Sequence, residues 1–254
     1  MERFKDKVVI ITGGSGSIGF TTAQRLASEG AKVLLVDIDE DALKDKQNKA
    51  EKDGYNMSYV AADVTKSEDV KKYVEVCLER YHKIDYFFNN AGIEGIVKPM
   101  QDYPEDEFDK VIAVNVRGVY LGMKYVIPKI EDGGSIVISS SVAGLQATPG
   151  MVAYIASKHA VIGIMRTAAL ELGERNIRVN TVNPGVVDNR MMRSLEEGLN
   201  PGNAEEVKDD FENQVPLGRY AEPKNISDMV TFLFSDDSKY CHGSTFIVDG
   251  GMQA

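Results

Sequence analysis

The sequence has no tryptophan, two cysteines and three histidines among its 254 residues. The missing tryptophan decides nothing. Cys77 and Cys241 are too few for a disulfide framework and lack metal-ligand spacing, so both read as reduced, packed thiols. His82, His159 and His242 form no ligand cluster, and no metal site is expected. Basic residues are also in deficit: 29 Lys and Arg against 39 Asp and Glu give a net charge of −10. That balance argues against nucleic acid as a partner, because binders of a phosphate backbone carry basic patches. No stretch approaches the about 20 consecutive apolar residues of a membrane span. The opening Met1-Glu-Arg-Phe-Lys-Asp-Lys7 lacks the apolar core of a signal peptide. A cytoplasmic protein with no membrane partner is expected.

What is present is a rhythm. Short β-rich runs at Val8–Thr12, Val33–Val36, Ser58–Ala61, Ile84–Phe88, Ser135–Ser139, Arg178–Val182 and Thr245–Val248 alternate with helical patterns near 18–29, 40–53, 67–81, 105–128, 152–173 and 223–235. Continuous apolar runs such as Val8-Val-Ile-Ile11 suit strands buried on both faces. The alternation predicts an α/β fold: one Rossmann-like domain over 1–254, a doubly wound parallel sheet of about seven strands with helices on both faces. The segment 188–218 breaks the rhythm, rich in Glu, Asp, Asn and Gly, with Met191, Met192, Leu195 and Leu199 at near-helical spacing. An excursion of that length leaving a strand end reads as a mobile substrate lid.

Two local patterns carry chemistry. Thr12-Gly-Gly-Ser-Gly-Ser-Ile-Gly19 follows the first strand and opens the first helix. Its glycines allow a tight turn and bring a pyrophosphate to the positive helix end. Asp37 ends the second strand, where a carboxylate accepts both ribose hydroxyls of NAD and repels a 2′-phosphate. Asp39 suits a helix cap instead. Tyr154 and Lys158 stand one helical turn apart, on one face. An ammonium beside a phenol favours the phenolate, lowering a pKa that starts near about 10. His159 faces away from that pair and reads as structural.

Taken together, these residues resemble the short-chain dehydrogenase/reductases over essentially the whole chain. Thr12–Gly19 looks like the family's glycine turn, Asp63-Val64 its adenine-side pair, and Asn89-Asn-Ala-Gly92 the motif after the fourth strand. Asn115, Ser141, Asn183-Pro-Gly185 and Asp249-Gly-Gly251 match further family positions. Ser17 departs from the pattern where a glycine is usual and could cap the helix; Asn189 replaces a threonine and could bond the nicotinamide amide.

The resemblance implies a catalytic set of Asn115, Ser141, Tyr154 and Lys158. Tyr154 is the acid or base, Lys158 lowers its pKa, Ser141 bonds the substrate oxygen, and Asn115 orders a relay water. It implies an NAD site built from Gly13, Ser15, Ser17, Ile18, Gly19, Asp37, Ile38, Asp63, Val64, Asn90, Ala91 and Gly92. Tyr154, Lys158, Pro184, Gly185, Val187 and Asn189 complete that site. Each has a duller reading: Ser139-Ser140-Ser141 as a serine-rich strand end, Asn115 as a satisfied core amide.

The function implied is NAD-dependent interconversion of a secondary alcohol and its ketone, with Phe87–Gly95 most like cyclic-diketone and cyclohexanol-type members. Alternatives are 3-oxoacyl-carrier-protein reduction, opposed by Asp37 and the acidic balance, and a non-catalytic dinucleotide-binding regulator, opposed by the intact Ser141, Tyr154 and Lys158. Expected pocket walls are Val142, Leu145, Gln146, Met151, Met191, Met192 and Leu195, with Glu94 near the mouth disfavouring anions. Arg190 and Arg193 read as solvated surface charges. The helices over Val111–Ile127 and Ala160–Leu172 are apolar around most of their circumference. Relatives pair such helices, so a homotetramer is expected.

Overall fold

Val8-Val-Ile-Ile-Thr12 forms strand β1, buried along its whole length. Its side chains alternate between two cores: Val8 and Ile10 enter one apolar cluster, Val9 and Ile11 the other. The computed structural model describes residues 2–254. The further strands are β2 (Lys32–Asp37), β3 (Met57–Ala61), β4 (Tyr86–Asn89), β5 (Ser135–Ser139), β6 (Arg178–Pro184) and β7 (Thr245–Val248). They form one parallel sheet in the order β3-β2-β1-β4-β5-β6-β7. The seven-stranded doubly wound sheet matches the expectation from the sequence.

Three helices begin the connections: α1 (Ser17–Ser28), α2 (Glu40–Lys52) and α3 (Ser67–Tyr81). Next come α4 (Glu105–Ile112), α5 (Val119–Val126) and α6 (Val152–Leu172). The last three are α7 (Arg190–Leu199), α8 (Ala204–Gln214) and α9 (Pro223–Phe234). Residues of α3, α5 and α6 cover one sheet face, and those of α1, α2 and α9 the other. The chain winds outward from β1 to β3, then returns to place β4 on the far side of β1. That reversal opens a crevice at the carboxyl ends of β1 and β4, the usual ligand position of such sheets.

Strands β2, β3 and β6 run one or two residues beyond the expected bounds, and three larger differences follow. Strand β4 begins at Tyr86 rather than Ile84, because the Asp85 carboxylate takes the Val8 N–H at 2.8 Å that a ladder carbonyl would otherwise accept. The helix expected over 105–128 is divided by a widened π turn, Ala113–Gly118, between α4 and α5. The excursion at 188–218 folds into α7 and α8. Met192 and Leu195 bury against Ala143, Met151, Tyr154, Val186, Val215 and Tyr220 in a third apolar cluster.

Both cysteines are free, Cys77 buried and Cys241 half-buried. Among the described residues, no helix is long and apolar enough to cross a membrane.

Candidate active site

Thr12 ends β1 and ties the loop after β4 to it. Its hydroxyl accepts the N–H groups of Asn90 at 2.9 Å and Ala91 at 3.1 Å, and the Asn90 side chain donates back to the Thr12 carbonyl at 3.0 Å. In the turn that follows, two positions have no room for a side chain. Gly13 has a φ of +65°, and a Cβ there would lie 2.8 Å from Asn90 Nδ2. A Cβ on Gly19 would overlap the Gly13 carbonyl oxygen. The helix cap is Gly16, not Ser17, which is the first helical residue; Gly16 has no side chain to satisfy the first-turn N–H groups. Those donors remain for an anion, so this cradle fits a dinucleotide pyrophosphate.

Asp37 is fixed from two sides. One carboxylate oxygen accepts the Ser15 N–H at 3.1 Å and the Ser15 hydroxyl at 2.7 Å; the other accepts the Ile38 N–H at 2.8 Å. Asp39 caps α2 through the Ala42 N–H, the role its position suggested. Asp63 accepts the N–H and hydroxyl of Thr65 at 2.9 and 2.7 Å, which holds the backbone of Asp63 and Val64 at the cleft wall.

Tyr154 and Lys158 lie buried on α6. The Lys158 ammonium donates to the Ser139 carbonyl at 3.0 Å and stands 5.4 Å from the centre of the Tyr154 ring. Burial lowers the Lys158 pKa to about 8. Burial also raises Tyr154 to about 12, partly offset by the Ser141 hydroxyl beside it and reinforced by the Glu94 charge. Burial thus sets the direction at Tyr154, opposite to the lowering that its spacing from Lys158 suggests. Desolvation penalises both charged forms, and the ammonium is turned to a carbonyl rather than to the phenol.

The three serines at the end of β5 and just beyond it each have a partner. Ser139 supplies that carbonyl, the Ser140 hydroxyl donates to the Lys158 carbonyl at 3.0 Å, and the Ser141 hydroxyl donates to the Pro184 carbonyl at 3.3 Å. Asn115 sits in the widened turn. Its amide donates to the Ile93 carbonyl and the Ser157 hydroxyl and accepts the Ile93 N–H. A Cβ on Gly92 would lie 3.3 Å from Asn115 Oδ1 and 3.5 Å from Lys158 Nζ, so that glycine lets the two groups share one wall. His159 is exposed and bonds only its own helix.

Asp37, Asp63, Ser139, Ser140, Ser141, Tyr154 and Lys158 line a single cleft of about 860 Å³, and Asn115 and His159 do not. Gly13, Ser15, Ser17, Ile18, Gly19, Ile38, Asn90, Ala91, Gly92, Pro184, Gly185 and Val187 also line it. Asn189 lines it too, but its side-chain oxygen caps α7 through the Met192 N–H at 3.0 Å, which takes the acceptor expected for a nicotinamide amide. On the other side are Val142, Gln146, Met151, Met191, Met192 and Leu195. The Met191 sulfur is 4.0 Å from the Tyr154 hydroxyl.

Leu145 is not part of the wall but turns to solvent. Glu94 is buried outside the lining, and Arg190 grips both of its oxygens, at 2.9 and 3.3 Å. Arg193 pairs with Asp188 at 3.3 Å and Glu196 at 2.8 Å. Both arginines are paired, and Arg190 is at the same time 75% exposed, as expected of a solvated charge. Sequence reasoning missed Ile93, Thr148, Phe211 and Met252, which also line the cleft. Phe211 is the one aromatic in the polar helix α8, which was its only signal. No group of three His, Cys, Asp or Glu among the described residues could hold a metal.

A doubly wound sheet with a glycine cradle at one end of its crevice and a buried Ser–Tyr–Lys group at the other defines a dinucleotide-dependent oxidoreductase. The chain belongs to the short-chain dehydrogenase/reductase family. A family model described as enoyl-(acyl carrier protein) reductase matches residues 13–253. The chain is 38% identical over 256 residues to levodione reductase of Leifsonia aquatica, covering 99% of this chain and 96% of that protein. The crystal structure of levodione reductase superposes with a TM-score of 0.95 over 98% of both chains. Cyclopentanol dehydrogenase of Comamonas testosteroni is 37% identical over 100% of both chains. The structure of an NAD⁺-bound xylitol dehydrogenase superposes with a TM-score of 0.92 at 34% identity, covering 98% of this chain and 100% of that one.

Proposed function

We propose that the protein interconverts a neutral, mostly apolar secondary alcohol and its ketone, with NAD as the hydride carrier. The observation that carries this reading is one cleft that joins Ser141, Tyr154 and Lys158 to the glycine cradle and Asp37. Two of its relatives are named for levodione and for cyclopentanol, and the chain is an oxidoreductase of CH–OH groups.

NAD, when bound, supplies the nicotinamide that accepts or gives the hydride. Tyr154 takes the alcohol proton at its phenolic oxygen in oxidation and returns it in reduction. Lys158 would hold the nicotinamide ribose and bring a positive charge to the same wall of the cleft as Tyr154. Ser141 donates to the substrate oxygen. Asn115 fixes the wall behind Lys158 and orders the water that relays its protons.

Gly13, Ser15, Ser17, Ile18 and Gly19 receive the pyrophosphate, and Ile38, Asp63 and Val64 flank the adenine. Asn90, Ala91 and Gly92 support the nicotinamide half from one side; Pro184, Gly185 and Val187 do so from the other. Asp37 selects NAD, because its pinned carboxylate accepts ribose hydroxyls and repels a 2′-phosphate. Helices α7 and α8 act as the lid over the substrate. Leu170 on α6 and Tyr120 on α5 are 89% and 51% exposed. These helices pair across two-fold axes in a homotetramer.

Similarity to a protein named 3-oxoacyl-[acyl-carrier-protein] reductase favours a second reading, reduction of the 3-keto group of an acyl-carrier substrate. A net charge of −10 opposes docking of an acidic carrier, and Asp37 opposes NADPH. Initial rates with NAD and NADP across secondary alcohols, diols, sugars and hydroxysteroids test the proposal. Fastest turnover is expected for a cyclic secondary alcohol with NAD; a preference for NADP or for an acyl-carrier substrate would contradict it.

A further inference from the structure

Helix α7 brings one cation, Arg190, to the lining of the cleft. A guanidinium at a substrate pocket normally signals recognition of a carboxylate or phosphate. Here that capacity is already used. Arg190 Nη1 and Nη2 donate to the two oxygens of Glu94 at 2.9 and 3.3 Å, in the parallel two-bond geometry of a carboxylate pair. The two partners are unequally placed: the Arg190 side chain is 75% exposed and that of Glu94 only 8%. Among the described residues, Arg190 is the only group bonded to the Glu94 carboxylate. An anionic substrate that captured Arg190 would therefore strand a buried, unpaired carboxylate beside the reacting groups. The Glu94 charge is felt there, since it contributes to the raised proton affinity of Tyr154.

We infer that Glu94 is a specificity-determining residue that neutralises Arg190 and so excludes anionic substrates from the pocket. This deepens the proposed alcohol chemistry and rests on it for the identity of the reacting group. The alternative use of the same arginine, holding a substrate carboxylate directly, requires the Glu94 contact to break. The consequence is specific: removing the Glu94 charge without changing its shape should turn Arg190 into a carboxylate receptor.

The experiment compares kcat/KM for cyclohexanol and for 4-hydroxycyclohexanecarboxylate with NAD. The natural sequence should prefer the neutral alcohol. Glu94→Gln should move the ratio toward the carboxylate by about tenfold or more, the scale of one charge-assisted bidentate contact. Adding Arg190→Gln should abolish that gain, because the receptor is then gone. An unchanged ratio in Glu94→Gln, or a gain that survives in the double variant, overturns the inference.

A second measurement requires neither turnover nor a folded variant. Calorimetry on the NAD-loaded natural protein compares cyclohexanecarboxamide with cyclohexanecarboxylate. The amide should bind at least about tenfold more tightly; equal affinity, including binding of neither, overturns the inference. If neither alcohol is oxidised while the amide still outbinds the carboxylate, the alcohol chemistry fails and the charge filter stands.

Discussion

The Lys158 ammonium donates to the Ser139 carbonyl at 3.0 Å, not to the Tyr154 phenol one turn away. The buried amine is thus held by a neutral acceptor alone, and burial brings its pKa down to about 8. From that pKa to the ordinary 10.5, the unfolded chain binds this proton and the folded chain does not. Stability of the cofactor-free protein should therefore rise with pH across that window. Tyr154 acts with the opposite sign: it keeps its proton to about 12 when folded but loses it near 10 when unfolded, so its contribution falls between those values.

Lys158→Met removes the rising limb. At neutral pH it should raise the melting temperature by several degrees, about 2–4 °C for each kcal/mol recovered, while turnover is lost. Melting followed by circular dichroism from pH 7 to pH 10, in parallel with the unaltered protein, checks this. Equal pH slopes for the two proteins would show that the amine is not desolvated.

Cofactor choice should follow the Asp37 carboxylate. Replacing Asp37 with Ala, together with Ile38→Arg, removes the repulsion and supplies a cation for a 2′-phosphate. The ratio of kcat/KM for NADP over NAD should rise by at least about tenfold, the effect of one charged contact. Ser15→Ala frees one side of the carboxylate and should raise the KM for NAD while leaving kcat nearly unchanged. A variant pair that still prefers NAD would place the selection elsewhere.

Assembly should depend on the uncovered face of α6. An added Cβ on Gly163 would meet nothing within 4 Å, and Leu170 is nearly fully exposed, so this face of the helix lacks cover in the single chain. Light scattering at micromolar concentration should report a tetramer, and Leu170→Asp a smaller species. A monomeric natural protein would contradict the proposed pairing.

Much of this was legible because strands buried on both faces and a glycine turn leave strong local signals. The run Val8–Ile11 announces a central parallel strand, and Tyr154 and Lys158 declare their shared face by spacing alone. What escaped depends on contacts between distant segments. The widened turn that seats Asn115 spans only Ala113–Gly118, too short a stretch for periodicity over 105–128 to mark. The grip of Arg190 on Glu94 joins residues 96 positions apart, and only the path of α7 across the cleft brings them together. Asn189 lines the cleft and also caps a helix, because a short amide at a helix start finds a backbone N–H first. The direction of the Tyr154 shift followed from burial, which spacing does not report.

The central claim is that Tyr154 carries the proton in an NAD-linked alcohol oxidation, and Tyr154→Phe tests it most directly. Steady-state oxidation of cyclohexanol is measured for both proteins, with NAD affinity by calorimetry as the control for folding. The variant should bind NAD as the natural protein does and lose turnover by about 10²–10⁴-fold, the range for a positioned acid or base. Turnover within a few fold of the natural protein, at unchanged NAD affinity, would contradict the account.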